Sequence, residues 1–347
     1  MPYSSKNNYI SIAKALGIIL MVVGHSGCPT AISKFIYLFH MPLFFVCSGY
    51  FFKEISDHTS LHIFYKKRMK SLYLPYFKWS ILFLLLHNIF RSFHITESAF
   101  YQKEEYVRQF MKMIAMRDYE LLIRPFWFIK ELLFASIIVA TISFFISRQS
   151  IKDKPELFFV FTIISSIISK LVPPIPLIGD CSTLCLSILY YCTGIILYKY
   201  KHLIPQTNTT ILLSFIIILI GSVFFIGTID MRFTNIYNLI PFYFLSITGI
   251  IMILCISQKL EATKNVSLLY YIGKHTMPIL ALNLLALKLG SLLKIWIYEL
   301  PIEQLASFTV IYDYNSWFWL IYTIIGITIP LLIHFIYIRI VHLFISR

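Results

Sequence analysis

Apolar runs of about twenty residues recur ten times along this chain, at approximately 10–27, 35–52, 72–90, 125–147, 157–173, 182–198, 211–228, 237–257, 266–287 and 317–340. A helix of that length pairs its own backbone N–H and C=O groups and matches the roughly 30 Å hydrocarbon layer of a bilayer. The stretches between the runs are too short to build a separate water-soluble core. The expected fold is therefore all-α: a polytopic membrane helix bundle of about ten transmembrane helices, forming a single domain over residues 1–347. Composition agrees, with 58% hydrophobic and 13% charged residues and a mean hydropathy of +0.77. The first run contains a lysine and is followed by further runs, so it reads as a first span rather than a cleaved signal. The six cysteines form no CxxC pair and no zinc-spaced cluster, and no metal site is expected.

An even number of spans puts both termini on one side. One set of connecting segments holds Lys6, Lys53, Lys66, Lys67, Arg68, Lys70, Arg148, Lys152, Lys154, Lys199, Lys201, Lys259, Lys264 and Arg347, whereas the short segments of the other set hold only Lys34, Lys170, Arg232, Lys288 and Lys294. The positive-inside rule makes the first set, and with it both termini, cytoplasmic. The net charge of +14 then reflects these loops and an anionic ligand, not nucleic acid. Residues 91–124 mix both charge signs on the outer side. Their stretch EEYVRQFMKMIAMRDYELL has helical apolar spacing and is expected to lie at the surface as a lid or docking helix.

Ionisable side chains at membrane depth are costly and mark candidate sites. Two of them share the first run. Lys14 and His25 are separated by eleven steps of about 100°, or three turns plus about 20°, so both face one way, ~16 Å apart along the helix. The lysine sits toward the cytoplasmic mouth, suited to a phosphate, and the histidine toward the outer half, suited to proton exchange. Lys78, Lys274 and Arg339 read as snorkelling residues, and the adjacent Lys130 and Glu131 as an ion pair.

Four further stretches carry a resemblance: FHMPLFFVCSGYFFK at 39–53, FYKKRMKSLYLPYFKWS at 64–80, PFWFIKELLF at 125–134 and IGKHTMPILALN at 272–283. With the Lys14 to His25 spacing and in this order, the chain resembles the acyltransferase-3 family of membrane acyltransferases, which includes bacterial polysaccharide O-acetyltransferases and relatives of fucose 4-O-acetylase. The likeness runs over essentially the whole chain. It implies an O-acyltransferase of the bacterial cytoplasmic (inner) membrane that takes acetyl from acetyl-CoA, a substrate and not a permanently bound cofactor. The acceptor implied is a hydroxyl of a glycan or glycolipid. The family's basic residue and histidine of the first helix fall on Lys14 and His25, where arginine is the commoner cation. Its second-helix histidine falls on His40, its basic cluster on Lys67 and Arg68, and its Trp-Phe pair on Trp127 and Phe128. Where many relatives have a histidine in the ninth span, this chain has Asn283.

These residues suggest a mechanism. Lys14, Lys67 and Arg68 hold the coenzyme A phosphates at the inner face, and His25, a neutral imidazole near pH 7, removes the acceptor's proton. His40 orients His25, binds the donor or contacts the acceptor. Trp127 and Asn283 are expected at the substrate. The outer loops 91–124 and 289–316 offer the aromatic and acidic groups for a sugar, and Tyr50, Asn88 and Asn283 are nominal donors to an oxyanion. The rival reading is a transporter or flippase for an anionic or lipid-linked substrate, which also buries cations in a helical bundle.

Overall fold

A computed structural model of the chain describes residues 8–147, 155–171, 181–224, 229–263, 265–312 and 317–345. Lys6, Arg148, Lys152, Lys154, Lys264 and Arg347, which enter the charge count above, lie outside the described residues. Among the described residues there is no strand. The chain begins with α1 (Tyr9–His25), α2 (Thr30–Tyr37), α3 (His40–Tyr50), α4 (His58–Arg68), α5 (Leu74–Leu85), α6 (His87–Ser92) and α7 (Lys103–Ile114). It continues with α8 (Trp127–Ile146), α9 (Pro155–Ser169), α10 (Cys181–Lys199), α11 (Asn208–Phe224), α12 (Ile236–Ala262), α13 (Ser267–Lys274), α14 (Thr276–Tyr298) and α15 (Phe318–Ile345). Helix occupies all ten predicted runs. Among the described residues, six stretches are long and apolar enough to cross a membrane, Thr30–Tyr50 and Leu121–Ile146 being two of them, and three shorter ones are apolar: Tyr9–His25, Phe159–Ser169 and Asn208–Phe224.

The bundle has a proximal end, where α1 starts, and a distal end, where α1 stops. Tyr9 and Tyr50 share a hydroxyl–hydroxyl hydrogen bond and Tyr198 packs edge-on to Tyr50, so α3 and α10 finish at the proximal end. At the distal end the Thr309 hydroxyl donates to the His25 carbonyl at 2.7 Å, closing the last turn of α1, and Gly27 (φ +76°) turns the chain away. Gly49 of α3 and Gly194 of α10 face each other's backbone: a Cβ on Gly49 would strike the Tyr191 carbonyl, and one on Gly194 the Val46 carbonyl. Two glycines thus let these helices cross in contact, as small residues do in membrane bundles.

Three expectations need correction. The second run is broken at Leu38–Phe39, so α3 starts at His40. The third run starts far earlier than residue 72. Helix is continuous from His58 to Leu85 through a π-helical turn at Met69–Tyr73, and the KKRMK cluster lies within that helix instead of in an inner loop. Pro75 has no N–H to offer the Ser71 carbonyl, which accounts for the widened turn just before it. The ninth run breaks at His275 and restarts as α14, which extends to Tyr298. Lys288 and Lys294 are consequently buried helix residues. Lys288 Nζ donates to the carbonyls of Leu305 (2.9 Å) and Ser307 (2.6 Å), and Lys294 Nζ donates to that of Ile311 (3.2 Å). Buried ammonium groups need such partners, and here they hold the loop that carries Thr309 against the end of α1.

Residues 91–124 do contain an amphipathic helix, α7, capped by reciprocal bonds between Gln102 and Glu105. It folds back along α5: the Tyr76 hydroxyl donates to the Met113 carbonyl (2.7 Å) and the Tyr73 hydroxyl to that of Ile114 (3.2 Å).

Candidate functional site

A cavity of about 700 Å³ opens at the proximal end between α1, α3, α4, α8 and the start of α14. Lys14, Lys67 and Arg68, singled out from separate parts of the sequence, all line it, as do Lys53 and Glu54. Four cations against one carboxylate leave the wall strongly positive. The Arg68 guanidinium is oriented before any ligand arrives: its Nη2 donates to the Tyr191 hydroxyl at 2.8 Å and it stacks on Phe64, 4.9 Å from the ring centroid. Lys14 and Lys67 make no hydrogen bond or ion pair among the described residues. Such a wall is built for an anion, with one planar fork fixed and two flexible ammonium groups free to adjust. Toward the distal side the lining turns apolar, ending at Met21, Met41, Phe44 and Phe128, with the Phe44 and Phe128 rings 5.5 Å apart.

Each of these closing residues adjoins a predicted site residue. Met21 is one turn before His25 on α1, Met41 follows His40 and Phe128 follows Trp127. His25, His40 and Trp127 do not line the cavity; they gather on its distal side. His40 is buried, and its Nδ1–H donates to the Ile36 carbonyl at 2.9 Å, which leaves Nε2 as an acceptor. The Tyr37 ring stands edge-on to it at 5.0 Å. His25 lies within electrostatic reach of His40 and of Arg232. Its half-buried ring makes no hydrogen bond to a described residue. The Arg232 guanidinium sits over the face of Trp127, 4.9 Å from the ring centroid, and 3.9 Å from the Asp230 carboxylate. In the sequence Arg232 stands out only as one of the few outer cations. Its partners at the site, Trp127 beneath it and His25 within electrostatic reach, are far away in the chain, and the polar island IDMRFTN between two apolar runs is the one local hint.

A family model described as an acyltransferase domain matches residues 7–338. The chain belongs to the acyltransferase-3 family. No curated protein and no solved structure matches it. In this membrane acyltransferase, then, a cation-lined cavity and a two-histidine cluster occupy opposite sides of one apolar constriction.

The remaining predicted residues of the acyltransferase fall elsewhere. Trp127 supports Arg232 on its ring. Asn283 is fully buried and does not line this cavity. Its Nδ2 donates to the carbonyls of Ile279 and Leu280, while its Oδ1 has no partner among the described residues. Leu280, one turn away, is the nearest point on α14 at which the cavity wall is reached. Of the nominal oxyanion donors, Tyr50 is at the proximal end, bonded to Tyr9, and Asn88 is committed to the backbone of Tyr101 through both side-chain atoms.

Proposed function

We propose that this acyltransferase moves an acetyl group from acetyl-CoA to a hydroxyl of a cell-surface glycan or its lipid-linked precursor, across the bacterial inner membrane. In this reading the chain crosses the membrane ten times with both termini and the proximal end in the cytoplasm, which accords with Lys53, Lys199, Lys201 and Lys259 at that end. The observation that carries it is the meeting of Lys14, Lys67 and Arg68 in one cavity whose far end abuts His25 and His40. The nucleotide phosphates of the donor rest on the cations. Its flexible arm runs along the apolar half of the cavity toward Met21 and Met41, whose unbranched side chains swing aside at low cost.

His25 then accepts the proton of the acceptor hydroxyl as its oxygen attacks the thioester carbonyl. A C–O bond forms, the C–S bond breaks, and the proton returns to the departing thiolate. His40, with Nδ1–H committed to Ile36, has Nε2 free to accept the N–H of His25 once the substrates are bound, a bond the structure itself does not make, and this leaves the second nitrogen of His25 as the base. Arg232, held over Trp127, supplies positive charge to the oxyanion. Purified protein in micelles, given acetyl-CoA labelled in the acetyl group and a surface oligosaccharide, is expected to label the sugar. No transfer to any hydroxyl acceptor by a protein that binds coenzyme A overturns the reaction; equal rates in wild type and His25→Ala overturn the base.

A further inference from the structure

A second cavity, about 350 Å³, lies between α5, α6, α7 and the stretch leading into α8, at the small end of the roughly 300–1,000 Å³ range of ligand pockets. Its wall is organised around His87. The ring nitrogens meet two acceptors, the Glu120 carboxylate at 2.7 Å and the Ala99 carbonyl at 3.0 Å, so the imidazole donates on both sides and pairs with Glu120 as a cation. Tyr101 lies flat on the ring at 3.4 Å, and the two bonds from Asn88 clamp that loop in place. Asp118, also in the wall, is paired with Lys112 at 3.1 Å. Both carboxylates thus have their charge matched within the protein.

What the wall leaves open is hydrogen bonding. Ser80 is 3% exposed, lines this cavity, and its Oγ makes no hydrogen bond of normal geometry, with the Tyr76 hydroxyl interacting with it only loosely. A buried hydroxyl in that state costs free energy until something supplies a partner. The Gln109 amide and the Tyr119 ring lie on the same wall. Tyr119 is also within electrostatic reach of Arg232, and Arg124, another wall residue, stacks on Phe308 at 5.6 Å, next to the threonine that bonds the end of α1.

We infer that this cavity is a second sugar subsite, which holds a neutral, hydroxyl-rich ring of the acceptor beside the ring that reacts. With both carboxylates paired the wall does not favour a cationic ligand, its remaining cation, Arg124, is stacked on Phe308, an aromatic side receives the C–H face of a ring, and the Ser80 hydroxyl and Gln109 amide receive its hydroxyls. Tyr119, in this wall and within electrostatic reach of Arg232, puts the neighbouring ring on the side of Arg232 and Trp127. The inference rests on the proposed glycan acceptor, and its test separates the two.

Saturation-transfer NMR on the full chain in micelles, without coenzyme A, is run with methyl glycosides of neutral hexoses and N-acetylhexosamines, and with glucosamine and glucuronic acid as charged comparisons. Neutral glycosides are expected to show transfer, with affinity falling about 3- to 10-fold in Ser80→Ala and in Gln109→Ala, each of which removes one hydrogen-bonding group. The same substitutions raise the acceptor KM in turnover and leave kcat within twofold. Transfer confined to a charged sugar, or affinity for neutral glycosides unchanged in both variants, overturns the subsite. Binding of neutral glycosides that depends on Ser80 and Gln109, in a protein that acylates no hydroxyl, leaves the subsite standing and sinks the proposed reaction. Acyl transfer with an acceptor KM unmoved by either variant does the reverse.

Discussion

The proximal cavity and the distal pocket differ most in how their charges are matched. In the proximal cavity Lys14, Lys53, Lys67 and Arg68 face Glu54 alone among carboxylates, and Arg68 donates to a neutral hydroxyl, that of Tyr191. In the second cavity, the distal pocket, both carboxylates are paired, Glu120 with His87 and Asp118 with Lys112, and the one further lining cation, Arg124, is stacked on Phe308; on the adjoining face Asp230 accompanies Arg232. A wall with unmatched charge makes its ligand complete the electrostatics, whereas a wall with matched charge selects by shape and hydrogen bonding. On the proposed reading, one chain presents an anion site and a neutral site, separated by the methionines and phenylalanines that end the proximal cavity.

The comparison breaks most visibly at that boundary. His25→Ala is expected to slow acyl transfer by about 100- to 10,000-fold, the range for loss of a general base, while donor affinity stays within twofold because the ring lies outside the cation-lined cavity. Turnover and equilibrium donor binding measured on the same preparation check this, and a large loss of donor binding would mean that the two regions are one. Next in size is Glu120→Ala. Removal of one partner of a buried ion pair leaves the other uncompensated, for a cost of about 3–5 kcal/mol, so the variant is expected to unfold at a clearly lower temperature with donor binding unaffected in the folded fraction. A thermal midpoint equal to wild type would show that the distal charges are not matched as described.

Arg68→Ala tests the proximal side. Loss of a charge-assisted contact to a phosphate, about 1.5–3 kcal/mol, predicts roughly 10- to 100-fold weaker donor binding. That binding should weaken steeply between low and high salt, as exposed ionic contacts are screened. Binding of a neutral glycoside should be nearly independent of salt. Titration of both ligands across the same salt series sharpens the contrast, and equal slopes would remove it.

The placement of these regions was legible in the sequence to the extent that it depended on local pattern. Apolar runs of helical length announce helix at every predicted place, and the eleven steps from Lys14 to His25 put them on one face of α1. That Lys14 enters the cavity and His25 stops beyond it depends on how Met41 and Phe128, from other helices, meet Met21. No local signal carries such a contact. The helix from His58 through the basic cluster read as a loop because its cations interrupt the apolar run, and hydropathy cannot distinguish a polar helix from a connection. Lys288 and Lys294 read as loop residues for a related reason: buried lysines are rare, and the carbonyls that satisfy them lie 17 to 19 residues away.

The smallest effect is expected at the proximal surface, where Glu156 accepts from Lys199 at 2.6 Å and from the Tyr200 hydroxyl at 2.7 Å. Hydrogen bonds from those two groups hold its carboxyl well below the ordinary carboxylate value of 4.5, at about 2. A folded-state value below the unfolded one stabilises the protein at pH above about 4.5, and that contribution is lost as pH falls toward about 2. The pair is half-exposed, so solvent and salt screen it and exposed pairs of this kind contribute little. Glu156→Gln is thus expected to shift the thermal midpoint slightly at pH 7 in low salt, less in high salt, and least as pH falls to 2 and below. Set beside Glu120→Ala, a shift of equal size at pH 7 would mean that burial does not separate the two ion pairs, and the matched distal wall would lose its energetic basis.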